Sequence, residues 1–410
     1  MSNINQKAYY GLPHEVKFCS KCVISNQRPG SSVEFKHTIK EKKQTIGFDS
    51  KGVCEPCHHA EIKNNLINWK QREEELIQLL DKYRRNDGHY DCIVPGSGGK
   101  DSAYQAHILK YKYGMNPLTI TWSPIIYTDY GYKNWKNWLD SGFDNICFTR
   151  NGKVMKTLTK LSIENLFHPF QTFILGQKNI GSKIASKFNI PLVFYGENEA
   201  EYGNPIADNE SSLRDKSFHS FKNLDDLYLA GLSIKELREK YDLQLVDLLP
   251  FLPASEDELK DKNIDVRYLG YYLKWTPQEV YYYAIENTGF KARPFRSQGT
   301  YSKYNSIDDK IDDLHYYTTY IKFGIGRTSY DAAQEIRNRH LTREDGKALV
   351  KRFDGEFPDR YFNEIMEYIG MEPEKFNDLA NKFRSPHLWG QNDLGEWKLR
   401  HTVNNSGLND

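Results

Sequence analysis

With 410 residues, 39% of them hydrophobic and 27% charged, the chain has material for two or three globular domains. Its 56 Lys and Arg against 55 Asp and Glu leave a net charge of +1, which argues against a protein built mainly to grip a phosphodiester backbone. No apolar run is long enough to span a bilayer, and the opening MSNINQKAYYGLPHEVK lacks a signal-peptide pattern, so a cytoplasmic protein without a membrane span is expected. In chain order, residues 1–60 are turn-rich and too irregular to form a core unaided, and 61–87 carry a linker helix. Its apolar positions are Ile62, Leu66, Trp69, Leu76, Leu80 and Tyr83. Residues 88–270 alternate strand and helix patterns: YDCIVP, KDSAYQAHILKYKYG, NPLTITWSP, Asn134 to Gly142, NICFTR, and a helix and strand between 179 and 198. That order predicts an α/β domain with a helix-covered parallel sheet. The charged stretch 200–265 reads as an insertion or lid. Residues 271–410 read as mainly helical, with Thr342 and Asp345 forming a capping box and a polar, disordered tail from Gly390.

Two motifs carry chemistry. Cys19-x-x-Cys22 and Cys54-x-x-Cys57, separated by 31 residues, form a four-thiolate pattern suited to a closed, structural Zn2+ site. His58 and His59 can substitute for one ligand, although two solvated histidines are the plainer reading. Cys92 and Cys147, isolated in apolar segments, read as core residues. The second motif lies where the first strand of the α/β region meets its helix: Gly96-Ser97-Gly98-Gly99-Lys100-Asp101-Ser102. Glycines let backbone N–H groups converge on an anion, and the helix N-terminus adds positive potential. Ser97 and Ser102 add hydroxyls, Lys100 adds charge, and Asp101 can hold Mg2+. A Walker A loop requires Ser or Thr after its Lys, where Asp101 stands, and a dinucleotide fingerprint requires glycine at that position.

The loop matches S-G-G-x-D-S and so resembles the pyrophosphate loop (PP-loop) of the ATP pyrophosphatases. The resemblance implies an adenine-nucleotide α-hydrolase-like domain that binds ATP with Mg2+ through Gly96 to Ser102. Trp122 would lie near the adenine, or else serve as a core aromatic. FCSKCVISNQRPG, GVCEPCHH, TWSPIIYTDYGYKN, FHPFQTFILGQK, FYGENEAEYG and KFGIGRTSYDAAQEIRNRHLTREDG extend the likeness over nearly the whole chain. Together they resemble the N-acetyl sugar amidotransferases of surface-polysaccharide (lipopolysaccharide, O-antigen) biosynthesis.

That resemblance implies conversion of an acetamido group of a sugar, free or nucleotide-linked, to an acetamidino group through an adenylylated amide. Lys100, Asp101 and Glu197 are the catalytic candidates. No cysteine sits on a glutaminase-type elbow, and the resemblance implies that a separate class I glutaminase subunit supplies the ammonia. Glu197 and Asn198 end a predicted strand at the ligand-binding edge of the sheet, and His168 either contacts substrate or ends a helix. Arg327, Arg337, Arg339 and Arg343 form either an anion clamp or a solvated helix face. The competing readings are a zinc-containing tRNA-thiolating PP-loop enzyme and a nucleic-acid-binding zinc module.

Overall fold

The computed structural model describes residues 7–30, 38–197, 211–260 and 262–405. A five-stranded sheet forms the centre: β1 (Cys92–Pro95), β2 (Pro117–Trp122), β3 (Asn145–Phe148), β4 (Leu192–Tyr195) and the strand Asp265–Tyr268. Every pairing is parallel, and the spatial order is β3, β2, β1, β4 and Asp265–Tyr268. Ile93 sits opposite both Leu118 and Val193, which fixes the register across the middle.

Strand side chains alternate between faces. Ile93, Leu118, Ile120, Trp122 and Val193 enter one core, with α5 (Gly152–Leu166), α6 (Gln171–Phe188) and the C-terminal helices. Cys92, Val94, Leu192 and Phe194 enter another, with α2 (Trp69–Tyr83), α3 (Lys100–His107), α4 (Asp129–Asp140) and the helix Pro277–Thr288. β2 is buried at every position, as a central parallel strand covered on both faces must be.

Several local expectations change in the structure. The linker is two helices, α1 (Glu55–Asn65) and α2, because Asn68 breaks the run and accepts a bond from the Gln71 N–H as the second helix's N-cap. Cys92 is fully buried, but Cys147 is exposed, because β3 is an edge strand. In the stretch read as an insertion or lid, Leu229, Leu237, Leu248 and Phe251 are core residues, so residues 211–260 are anchored to the main body. Beyond Gly390 the chain forms an antiparallel pair, Trp389–Gln391 with Trp397–Leu399. The Thr342–Asp345 capping box is present at the helix Arg343–Phe353.

Candidate functional site

The strand order creates one topological switch point. β2 and β3 build outward on one side of β1, while β4 crosses to the other, so the loops after β1 and β4 diverge and open a crevice at the sheet's carboxyl edge. The loop after β1 is the glycine turn, and the loop after β4 begins Gly196-Glu197. A Cβ on Gly96 would lie 2.1 Å from Ser102 Cβ. Gly98 has φ +83°, and a Cβ there would lie 2.6 Å from Trp135 Cα. Gly99 precedes α3 without a side-chain capping bond, so the first-turn N–H groups of α3 meet the crevice as an anion site. Lys100 is buried, and its ammonium donates to both Asp101 carboxylate oxygens at 2.8 and 2.7 Å. Ser102 Oγ donates to the Gly99 carbonyl at 3.0 Å.

Two adjoining cavities, about 640 and 530 Å³, share Arg28, Ser97, Gly99, Asp101, Glu197, His315 and Tyr330 along their seam. Gly96, Ser102, Trp122 and His168 line the first cavity; Gly98, Lys100, Arg327 and Arg337 line the second. Among the described residues, the first brings Arg28, Lys43, Lys178, Arg214 and Lys322 against Asp101 and Glu197, a cationic environment suited to phosphates. The second is richer in carboxyl groups, adding Asp308, Asp309, Asp312 and Asp331. Burial pushes Asp309 up to about 7, although it accepts backbone bonds from Ile125, Ile126 and Ile311. Burial, with Asp308 and Asp309 nearby, also drives Asp312 well above the usual carboxylate range. Burial in this cavity therefore favours the neutral acid at Asp309 and Asp312.

The remaining sequence candidates divide by environment. Trp122 is both core and wall: it is 3% exposed, stacks on Phe148 at 5.4 Å, and Gly176 leaves room for its ring. The His168 ring stacks on His315 at 4.7 Å. Arg327 bonds Asp331 (2.8 Å), Ser306 (2.9 Å) and the Tyr316 hydroxyl, so it braces the second cavity. Arg337 is buried in that cavity's wall. Arg339 is exposed and lines neither cavity, and Arg343 donates to the Cys19 and Cys22 carbonyls, so both fall outside an anion clamp. Asn198 lies outside the described residues. Arg28, Asp312, His315 and Tyr330 were not singled out as site residues by the sequence. Arg28 carried a signal only as part of a turn beside the cysteines.

The four-cysteine cluster packs against the C-terminal segment that also lines the second cavity. The four cysteine sulfurs lie within 4.8 Å of one another, with Cys19–Cys57 at 3.8 Å and Cys22–Cys54 at 3.7 Å. Tetrahedral zinc with Zn–S bonds of about 2.3 Å requires sulfur separations of about 3.8 Å, so the donor set fits. N–H groups of Lys21, Cys22 and Cys54 point at Cys19 Sγ, each at 3.4 Å. The sulfurs' mutual hydrogen bonds push Cys19 and Cys22 down and Cys54 and Cys57 up, so holding all four as thiolates at this spacing would require a cation among them. His58 instead meets Asp49 at 3.0 Å, while His59 is buried rather than solvated. The cysteines share a core with Ile325, Ala332, Ala333 and Val350.

No helix among the described residues is long and apolar enough to cross a membrane. The uncharacterised protein MJ1599 of Methanocaldococcus jannaschii is 33% identical over 84 residues, which cover 20% of this chain and 29% of that relative. Residues 298–404, which supply His315, Arg327, Tyr330 and Arg337 to the cavities and the partner core of the cysteines, match the family model described as "LPS biosynthesis protein WbpG-like, C-terminal domain".

Proposed function

We propose that the chain is an ATP-dependent amidotransferase of the PP-loop ATP pyrophosphatase kind, acting in lipopolysaccharide biosynthesis. Its acceptor is an acetamido sugar, its product the acetamidino sugar, and its ammonia comes from a separate glutaminase subunit. The observation that carries this reading is the glycine turn at the switch point, facing a wall built by the WbpG-like segment. An amide carbonyl is a poor electrophile, so activating its oxygen as a leaving group is the chemical need. The acceptor's amide oxygen attacks the α-phosphorus of ATP, and pyrophosphate departs toward the N–H groups at the start of α3. Ammonia then displaces AMP from the adenylylated amide.

The cationic first cavity suits the nucleotide, and the second suits the acceptor and the incoming nitrogen. Asp101 and Glu197 line both cavities and are the residues to hold Mg2+, whose contribution when bound is neutralisation of phosphate charge. The zinc is structural, because four thiolates leave no open position for water.

The test incubates purified protein with ATP, magnesium, an ammonium salt and a panel of acetamido sugars, following AMP and product mass. Sugar-dependent AMP, with a product about one mass unit lighter from exchange of O for NH, is the expected result. Asp101→Ala abolishes AMP formation while leaving zinc content unchanged. AMP formation retained in that variant refutes the role given to the loop.

A further inference from the structure

Arg28 is an unusual cation. It belongs to the turn after the first cysteine pair, is 5% exposed, and lines both cavities. Its guanidinium lies 4.5 Å from the centre of the Tyr330 ring. Among the described residues its side chain meets no hydrogen-bond acceptor and no carboxylate. Burial lowers its pKa to about 10, far enough above neutrality that the charge remains. A buried guanidinium with five donors and, among the described residues, one aromatic neighbour is incompletely satisfied by them, and an anion within the cavity is its natural complement.

The backbone around Arg28 is fixed. Its N–H donates to the Ser25 carbonyl at 3.1 Å and its carbonyl accepts from Ile46 at 3.0 Å, while Val23 and Ile24 are core residues of the cysteine cluster. The cation is thus presented by a loop that packs into the cysteine core. It stands on the same seam as Ser97, Gly99 and Asp101, where the two cavities meet.

We infer that Arg28 binds the α-phosphoryl group of the nucleotide, which makes the cysteine region a contributor to the reaction centre; this rests on the function proposed above. If nucleotide and acceptor occupy the two cavities, the reacting phosphorus lies at their seam. A planar guanidinium there contacts the nonbridging oxygens of the adenylyl group, while the α3 N–H groups take the departing pyrophosphate. When the acceptor oxygen bonds to the α-phosphorus, the bond to the bridging oxygen breaks and its electrons leave with pyrophosphate. Arg28 remains with the AMP moiety.

The test is binding, measured by calorimetry on zinc-loaded full-length protein with three probes: AMP, pyrophosphate and adenosine. Arg28→Gln should weaken AMP by about tenfold to a hundredfold while leaving pyrophosphate and adenosine within about twofold. Arg28→Lys, which restores charge without the planar fork, should fall between Arg28→Gln and the parent protein. Because the reading is the ratio of AMP to pyrophosphate affinity, general loosening of the fold, which moves both, is not mistaken for the specific effect. An unchanged ratio in both variants overturns the assignment while the amidotransferase proposal stands. Parent protein that binds neither AMP nor pyrophosphate overturns both.

Discussion

Gly98→Ala isolates the physical demand of the glycine turn. An L-residue in the left-handed region costs about 1–2 kcal/mol, and Gly98 has φ +83°. The added methyl would also lie 2.6 Å from Trp135 Cα, 2.8 Å from Trp135 N and 2.9 Å from the Asn134 carbonyl oxygen. Carbon contacts prefer about 3.5–4.0 Å, so the backbones must separate by close to an ångström. Overpacking of that kind costs about 1–3 kcal/mol. α4 yields little, because Thr128 caps it and Trp138 is fully buried beneath it. The expected loss is therefore about 2–5 kcal/mol, with the loop displaced rather than the helix. Urea denaturation should show a clearly lowered midpoint, and calorimetry should show pyrophosphate affinity reduced about a hundredfold. Gly99→Ala is the control: its new Cβ meets only Ser97 Oγ at 3.6 Å, so stability should change by less than about 1 kcal/mol. Equal midpoints for the two variants would refute the argument from backbone geometry.

Cys57→Ser should reduce bound zinc from one per chain to near zero by atomic absorption, and should lower the thermal midpoint by exposing the core shared with residues 325–350 to fluctuation. Arg343→Met should cost about 1–3 kcal/mol and speed zinc transfer to a chelator several-fold, since the guanidinium bonds the Cys19 and Cys22 carbonyls. Asp309 is raised from 3.8 to about 7, so the native state keeps a proton that the unfolded chain releases. Its contribution to stability is full below about pH 4 and is lost as pH rises through about 7. The stability difference between the parent and Asp309→Asn should shrink by about 2 kcal/mol from pH 5 to pH 8 in urea titrations, and a pH-independent difference would contradict the protonated state.

The features legible in the sequence are those written in short stretches of chain. Cys19, Cys22, Cys54 and Cys57 announce themselves by spacing, and the turn from Gly96 to Ser102 by composition at a strand–helix junction. The alternation of strands with helices gave a parallel sheet, because strands buried on both faces need helices above and below. Cys147 was misplaced because its apolar neighbours say nothing about strand order, and only the order puts β3 at an edge. The single linker helix failed because Leu66 continues the apolar spacing while Asn68 ends it as a cap. His315 and Asp312 stayed hidden because their importance comes from helices packed across the crevice. Arg28 was visible only as part of a turn, and its burial depends on Tyr330, about 300 residues away.

The core shared by the cysteines and the C-terminal segment has a consequence for biosynthesis. The Tyr10 hydroxyl donates to the Phe383 carbonyl, His387 meets Gln27, and Ile325 with Val350 pack on the cysteine cluster. A ribosome releases Cys57 long before it makes Val350. During that interval the thiols lack their apolar cover and stand open to oxidants and competing metals. The sheet and its glycine turn can be assembled meanwhile, but the cavity wall cannot. Closure of the site thus waits on residues 298–404, which makes that later segment the checkpoint for the cysteine region made long before it.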